Sequence, residues 1–170
     1  IGGTATGAVG QAGGAVTIDT GASDTVTFGT GADITTSGSA AEGAGTNRAG
    51  GAGGAVTINT GDALITLTDT TITTSGGADT GTGGDGDGGN VTFSDEVALA
   101  GGAVTITTGA TPGNILFSDV LNGAQDLSLT AGTGNIDFNG KVGDGAGTLG
   151  KVTITSAGTI TTADVFKAAG

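Results

Sequence analysis

Apolar and polar residues alternate along this chain in short bursts separated by glycine. Residues 16–18 (VTI), 26–28 (VTF), 56–58 (VTI), 65–67 (ITL) and 104–106 (VTI) share one form, in which two apolar residues flank a threonine. Successive side chains of an extended strand point to opposite faces, so each burst turns its apolar pair to one side. No long segment repeats apolar residues at the spacing of an amphipathic helix, and almost no helix is expected.

The bursts align into three columns. The first holds 16–18, 56–58, 91–93, 115–117, 136–138 and 160–162; the second holds 26–28, 65–67, 97–99, Val120, Val142 and Val165; the third holds 34–36, 72–74, 104–106, 127–129 and 152–154. Column members lie about 21–25 residues apart in the C-terminal half and roughly 32–40 apart in the N-terminal half. A recurrence of this length marks a supersecondary unit stacked on itself. The longer spacing comes from two glycine-rich segments, 39–54 and 77–89, which read as loops inserted at one corner. The predicted fold is all-β: a parallel β-helix (β-solenoid) with three short strands per rung and about five to six rungs, roughly 25–30 Å long. Residues 1–170 read as one such segment. An antiparallel sandwich would explain the strand count but not the recurrence.

The strongest echo is NVTFSD (90–95), NILFSD (114–119) and NIDFNG (135–140). Stacking these rungs places Phe93, Phe117 and Phe138 in one interior file, continued by Ile18 and Ile58. Asn90, Asn114 and Asn135 then share a corner, where amide can bond to amide as in stacked Asn ladders; the alternative is that Asn tolerates a left-handed turn. Gly38, Gly76, Gly109, Gly132 and Gly158 follow the third column and are expected to supply corners with positive φ. The outward pairs of that column are Thr35/Ser37, Thr73/Ser75, Thr105/Thr107, Ser128/Thr130 and Thr153/Thr155, a wall of hydroxyls.

Composition narrows the chemistry. The chain has 39 Gly, one Pro, no Cys and no His among 170 residues, and its net charge is −12. Glycine this frequent without a G-X-Y period is not collagen and points to many tight corners. Without His or Cys the commonest general base and the thiol nucleophile are missing, and an enzyme is not expected. Asp95 and Glu96 adjoin, but neighbours on a strand face opposite ways. Four basic residues and the scarcity of aromatics argue against nucleic acid, and no apolar run is long enough for direct membrane insertion. Asp79, Asp85, Asp87 and Asn90 offer oxygens in a glycine-rich turn that could suit Ca²⁺, although only one such copy is present. Otherwise no cofactor is implied.

The run GGAVTITTGATPGNILFSDVLNGAQDLSLTAGTGNIDFNGKVG (101–143) resembles the β-strand-repeat regions of large bacterial surface proteins, the filamentous-haemagglutinin-like and autotransporter-like adhesins. The likeness rests on repeat grammar and is best from residue 89 to residue 166. It implies a parallel β-helix, export to the cell surface, and a role as a structural or adhesive segment of a secreted fibre with a possible surface or glycan ligand. No cap is recognisable at Ile1 or Gly170, so the repeat is expected to continue in a longer protein or to stack copies end to end into a filament. Two other functions fit: ice binding through the hydroxyl wall, and calcium-dependent glycan adhesion through the acidic loops.

Overall fold

The computed structural model describes residues 7–21, 24–43, 47–145 and 147–169. Ile1, Gly170 and part of the 39–54 segment (44–46) therefore lie outside the described residues. The fold is a parallel β-solenoid with, among the described residues, three sheets and 15 short strands, numbered β1 to β15 in chain order. The first sheet stacks β1 (Val16–Asp19), β4 (Val56–Asn59), β7 (Val91–Phe93), β10 (Ile115–Phe117), β13 (Ile136–Phe138) and β15 (Ile160–Thr162). The second stacks β2 (Val26–Phe28), β5 (Ile65–Thr68), β8 (Val97–Ala100) and β11 (Leu121–Asn122). The third stacks β3 (Ile34–Thr35), β6 (Thr71–Thr73), β9 (Val104–Thr107), β12 (Leu127–Thr130) and β14 (Val152–Ser156). All the ladders are parallel, so hydrogen bonds run along the solenoid axis and each rung templates the next.

The core is the apolar side of these strands. Val56, Ile58, Ile65, Leu67, Ile72, Val91 and Phe93 are fully buried. The expected phenylalanine file is present: Phe93 and Phe117 stack with ring centroids 5.0 Å apart, and Phe117 and Phe138 at 5.4 Å. Ile18 pairs with Ile58 and Ile58 with Phe93, continuing the file as predicted. Phe166 closes it edge-on against Phe138 at 5.3 Å.

Two registers differ from the sequence reading. In the second column the inward residues are Leu121 and Phe166 rather than Val120 and Val165; Leu121 bridges Val142, which bridges Phe166. The corner takes one residue more than expected. The carboxylates of Asp119 and Asp164 accept the N–H of Val120 and Val165, each at 2.7 Å, and fold the chain back at that point. In the third column Ile72 stands on Ile106, not on Val104. The inward position level with Val104 is filled by Thr70, whose carbonyl accepts the Thr105 N–H. The hydroxyl wall shifts accordingly. One file runs Thr71, Thr105, Ser128, Thr153, and the next runs Thr35, Thr73, Thr107, Thr130, Ser156; a bulge displaces Thr155. Ser37 and Ser75 lie beyond both files, with the Gly38 N–H donating to the Ser75 carbonyl.

The two glycine-rich segments are not free loops. Residues 8–15, 36–42, 49–55, 74–80 and 85–90 lie alongside one another, and most of their inter-segment hydrogen bonds recur every third residue, the period of a polyproline-II helix. Gly10 and Gly13 donate to Ala49 and Ala52, and Gly50 and Gly53 donate to Gly84 and Asp87, which makes 8–15, 49–55 and 85–90 one parallel layer. Gly38 and Ala41 donate to Ser75 and Ala78, which makes 36–42 and 74–80 a second layer. The layers run antiparallel and are stitched by Gly51 to Ser39, Gly54 to Thr36, Gly77 to Gly51 and Gly86 to Gly77. We call this two-layered element the glycine wing.

Close backbone approach is what requires glycine in the wing. A methyl group at Gly53 would stand 1.8 Å from the Thr74 carbonyl oxygen, and one at Gly76 would stand 1.7 Å from that of Gly86. Neither residue has positive φ. The expected left-handed corners exist at Gly109 and Gly132, with φ 92° and 58°, but not at Gly38, Gly76 or Gly158.

Candidate functional site

The residues singled out in the sequence distribute over a corner, a wall, the wing and the two ends. At the corner before the first sheet, Asn90, Asn114 and Asn135 stack as predicted, but the bonding differs. The Asn90 side-chain oxygen accepts the backbone N–H of Asn114, and the Asn114 oxygen accepts that of Asn135, both at 2.8 Å. The ladder thus runs from side chain to backbone, and all three residues are exposed rather than enclosed. It fixes the chain's re-entry into the first sheet and offers no binding chemistry.

A second corner motif was missed. Thr36, Thr74 and Thr108 are buried at the exit of the third sheet. Their hydroxyls donate to the carbonyls of Gly54, Gly89 and Gly113, at 2.6, 2.6 and 2.9 Å. The Gly54 and Gly89 N–H groups return a bond to the Thr36 and Thr74 carbonyls. These clasps seal the apolar core from the wing. Their sequence signal is the doublets Thr35-Thr36, Thr73-Thr74 and Thr107-Thr108, in which the first threonine faces out and the second faces in.

Asp95 and Glu96 do face opposite ways: Asp95 is 7% exposed, whereas Glu96 is open to solvent. The Asp95 carboxylate accepts the N–H of Thr60 at 2.6 Å, the Thr60 hydroxyl at 3.0 Å and the N–H of Asp62 at 3.0 Å. Burial pushes its carboxyl upward, but these donors outweigh burial and hold it below the ordinary aspartate value. It locks the turn where Asp62 adopts φ 73°. Its donors all point from the protein to the carboxylate, so the group is structural rather than a poised acid.

In the wing the four calcium candidates diverge in role. The Asp85 carboxylate accepts the Asp79 N–H and the Asp79 carboxylate accepts the Gly84 N–H, both at 2.9 Å, so this pair closes its own turn. Asn90 belongs to the corner ladder, and Asp87 lends its carbonyl to Gly53. Among the described residues no three Asp, Glu, His or Cys side chains converge to hold a metal ion.

One concavity of about 400 Å³ lies outside the second sheet, between Leu64, Glu96, Ala98, Asn122 and Gly123. The Asn122 amide donates to Glu96 at 3.3 Å and its oxygen accepts the Gly145 N–H at 3.0 Å.

At the ends the core opens. The first rung's Val16, Ile18, Val26, Phe28 and Ile34 are half-buried, whereas their counterparts one rung in are fully buried. In the last rung Ile160 is 50% exposed and Phe166 39%. The free edges of β1 and β15 each lack a neighbour among the described strands. The chain matches no protein-family model, no curated protein and no solved structure.

Proposed function

We propose that this chain is a structural segment of a secreted or cell-surface bacterial fibre, built to stack end to end and to carry the glycine wing on its flank. The observation that carries this reading is the first sheet, whose six strands stack in one parallel register with Phe93 and Phe117 ring on ring inside it. In such a solenoid each rung is the template for the next, the construction of a rod. The sequence supports the same reading through its likeness to adhesin repeats. Electron microscopy of the purified chain is the test. Rods many times longer than one copy support the reading, and isolated single-copy particles at high concentration reject it.

A second reading is supported by the wall of the third sheet. Its two hydroxyl files, Thr71–Thr105–Ser128–Thr153 and Thr35–Thr73–Thr107–Thr130, repeat rung by rung, and the first-rung position level with Thr71 is Asp33. A regular hydroxyl lattice suits an ordered water surface such as ice. Thermal hysteresis lost in Thr105→Tyr would favour it, and freezing behaviour indistinguishable from buffer would remove it.

A further inference from the structure

The corner that follows the phenylalanine file differs in its third copy. Phe93 and Phe117 are followed by Ser94-Asp95 and Ser118-Asp119, whereas Phe138 is followed by Asn139-Gly140. The residues share one stacked position, since the N–H of Ser118 donates to the Phe93 carbonyl and that of Asn139 to the Phe117 carbonyl, both at 2.9 Å. We propose that Asn139-Gly140 is a site of spontaneous covalent modification in the folded protein. Asn139 loses its side-chain amide as ammonia and becomes an aspartyl or isoaspartyl residue.

The reaction is intramolecular and needs only water as co-reactant. The Gly140 backbone nitrogen attacks Cγ of Asn139, and a new C–N bond closes a cyclic succinimide. The bond from Cγ to the side-chain nitrogen breaks, and that nitrogen leaves as ammonia with the proton given up by the Gly140 amide. Water then opens the ring. Opening at the side-chain carbonyl restores the ordinary main chain and leaves a carboxylate. Opening at the main-chain carbonyl leaves the chain running through Cγ, the isoaspartyl form. The sum is one water consumed and one ammonia released, with no change of oxidation state.

Attack is hindered by a side chain on the following residue, most of all by one branched at Cβ. Asn59, Asn90, Asn114 and Asn135 precede Thr, Val or Ile, and Asn47 precedes Arg48. Only Asn122 and Asn139 precede glycine. The fold separates these two. Asn122 lies in β11, where its amide donates to Glu96 at 3.3 Å and its side-chain oxygen accepts the Gly145 N–H at 3.0 Å. Turning its Cγ toward Gly123 breaks both bonds. Asn139 is exposed, lies just past the end of β13, and its side chain has no hydrogen-bond partner among the described residues. The Gly140 N–H likewise has no acceptor among them. Packing in turn requires glycine at 140, because a Cβ there would stand 2.3 Å from the Asp119 carbonyl carbon. The isoaspartyl form adds one methylene to the main chain between Phe138 and Gly140, so Gly140 must leave that contact while Phe138 stays on Phe117.

The test is incubation of the full chain at neutral and at mildly alkaline pH, with and without denaturant. Peptide sequencing by mass spectrometry then reads amide loss at each asparagine. In the folded chain Asn139 should convert faster than Asn122 by on the order of tenfold or more, since two hydrogen bonds restrain Asn122. The rate should rise with pH, because the attacking amide must give up a proton, and in denaturant the two rates should converge. Asn139→Ser, which restores the residue present at 94 and 118, should keep the circular dichroism of the parent and yield no product at this position. No conversion of Asn139 in the folded chain, conversion of Asn122 as fast as Asn139, or a difference that survives denaturant overturns the proposal.

Discussion

The glycine wing and the phenylalanine file occupy opposite halves of one solenoid and hold it together by different means. Around Phe93, Phe117 and Phe138, rungs cohere because apolar side chains leave water and stack. In the wing almost no side chain is buried; backbones touch directly, and N–H to carbonyl bonds, most of them every third residue, replace the core. The first arrangement tolerates changes of shape, since a smaller apolar residue still excludes water. The second tolerates none at its contact positions, because the partner of each missing Cβ is another backbone. The solenoid can therefore widen one corner by tens of residues without widening its core.

The largest test of this contrast is Phe117→Ala. It removes the middle ring of the file and should cost about 3–5 kcal/mol, lowering the denaturant midpoint of the whole chain. A loss under about 1 kcal/mol would mean that the file is not the core. Gly53→Ala should cost about 1–3 kcal/mol through overpacking against the Thr74 carbonyl. Its damage should stay local, with amide protection lost across 36–42, 49–55 and 74–90 while the strands around Phe117 keep theirs. If Gly53→Ala unfolds both halves together, the two are one cooperative unit.

Asp95→Asn should cost about 1.5–3 kcal/mol, because the carboxylate's bonds to Thr60 and Asp62 are charge-assisted. The pH dependence has a definite sign. A carboxyl held below its ordinary value in the folded state stabilises fully above the unfolded value near 3.9, and the contribution is lost as pH falls through the lowered folded value. Wild-type stability should therefore fall more steeply with acid below about pH 4 than that of the Asn variant. Equal slopes would contradict the assigned role. The smallest effect is expected from Thr74→Val, which keeps shape but removes the hydroxyl bond to Gly89, at about 1 kcal/mol measured by chemical denaturation.

These regions were unequally legible in the sequence. The first column was read correctly throughout because β-branched residues and phenylalanine alternate cleanly with polar ones, and period two admits only one inward set. The third column slipped by two residues in its first two rungs because apolar was matched to apolar. Thr70 and Thr74 in fact point inward, their hydroxyls satisfied by the Thr68 and Gly89 carbonyls. Phe166 was passed over for Val165, since a carboxylate-closed turn adds a residue that hydrophobicity alone does not reveal. From sequence the wing reads as loops, because abundant glycine ordinarily signals positive φ. Its signature was nonetheless present in Ala49-Gly50-Gly51-Ala52-Gly53-Gly54-Ala55, a period of three in which Ala49 and Ala52 face solvent and the glycines face neighbouring backbones. The net charge of the whole chain conceals that Lys141, Lys151 and Lys167 gather in its C-terminal part.

Hydrogen exchange resolved to single amides across residues 48–56 tests the central claim most directly, since no strand or helix spans 49–55 and only the wing can protect it. The N–H groups of Gly50, Gly51, Gly53 and Gly54 donate to Gly84, Ser39, Asp87 and Thr36, whereas those of Ala49 and Ala52 have no acceptor among the described residues. The account predicts a repeating pattern of two slow amides and one fast, with the slow ones retarded by a hundredfold or more, on the order of 3 kcal/mol of local stability. Uniformly fast exchange across these residues would show that the segment is a loop after all and contradict the account.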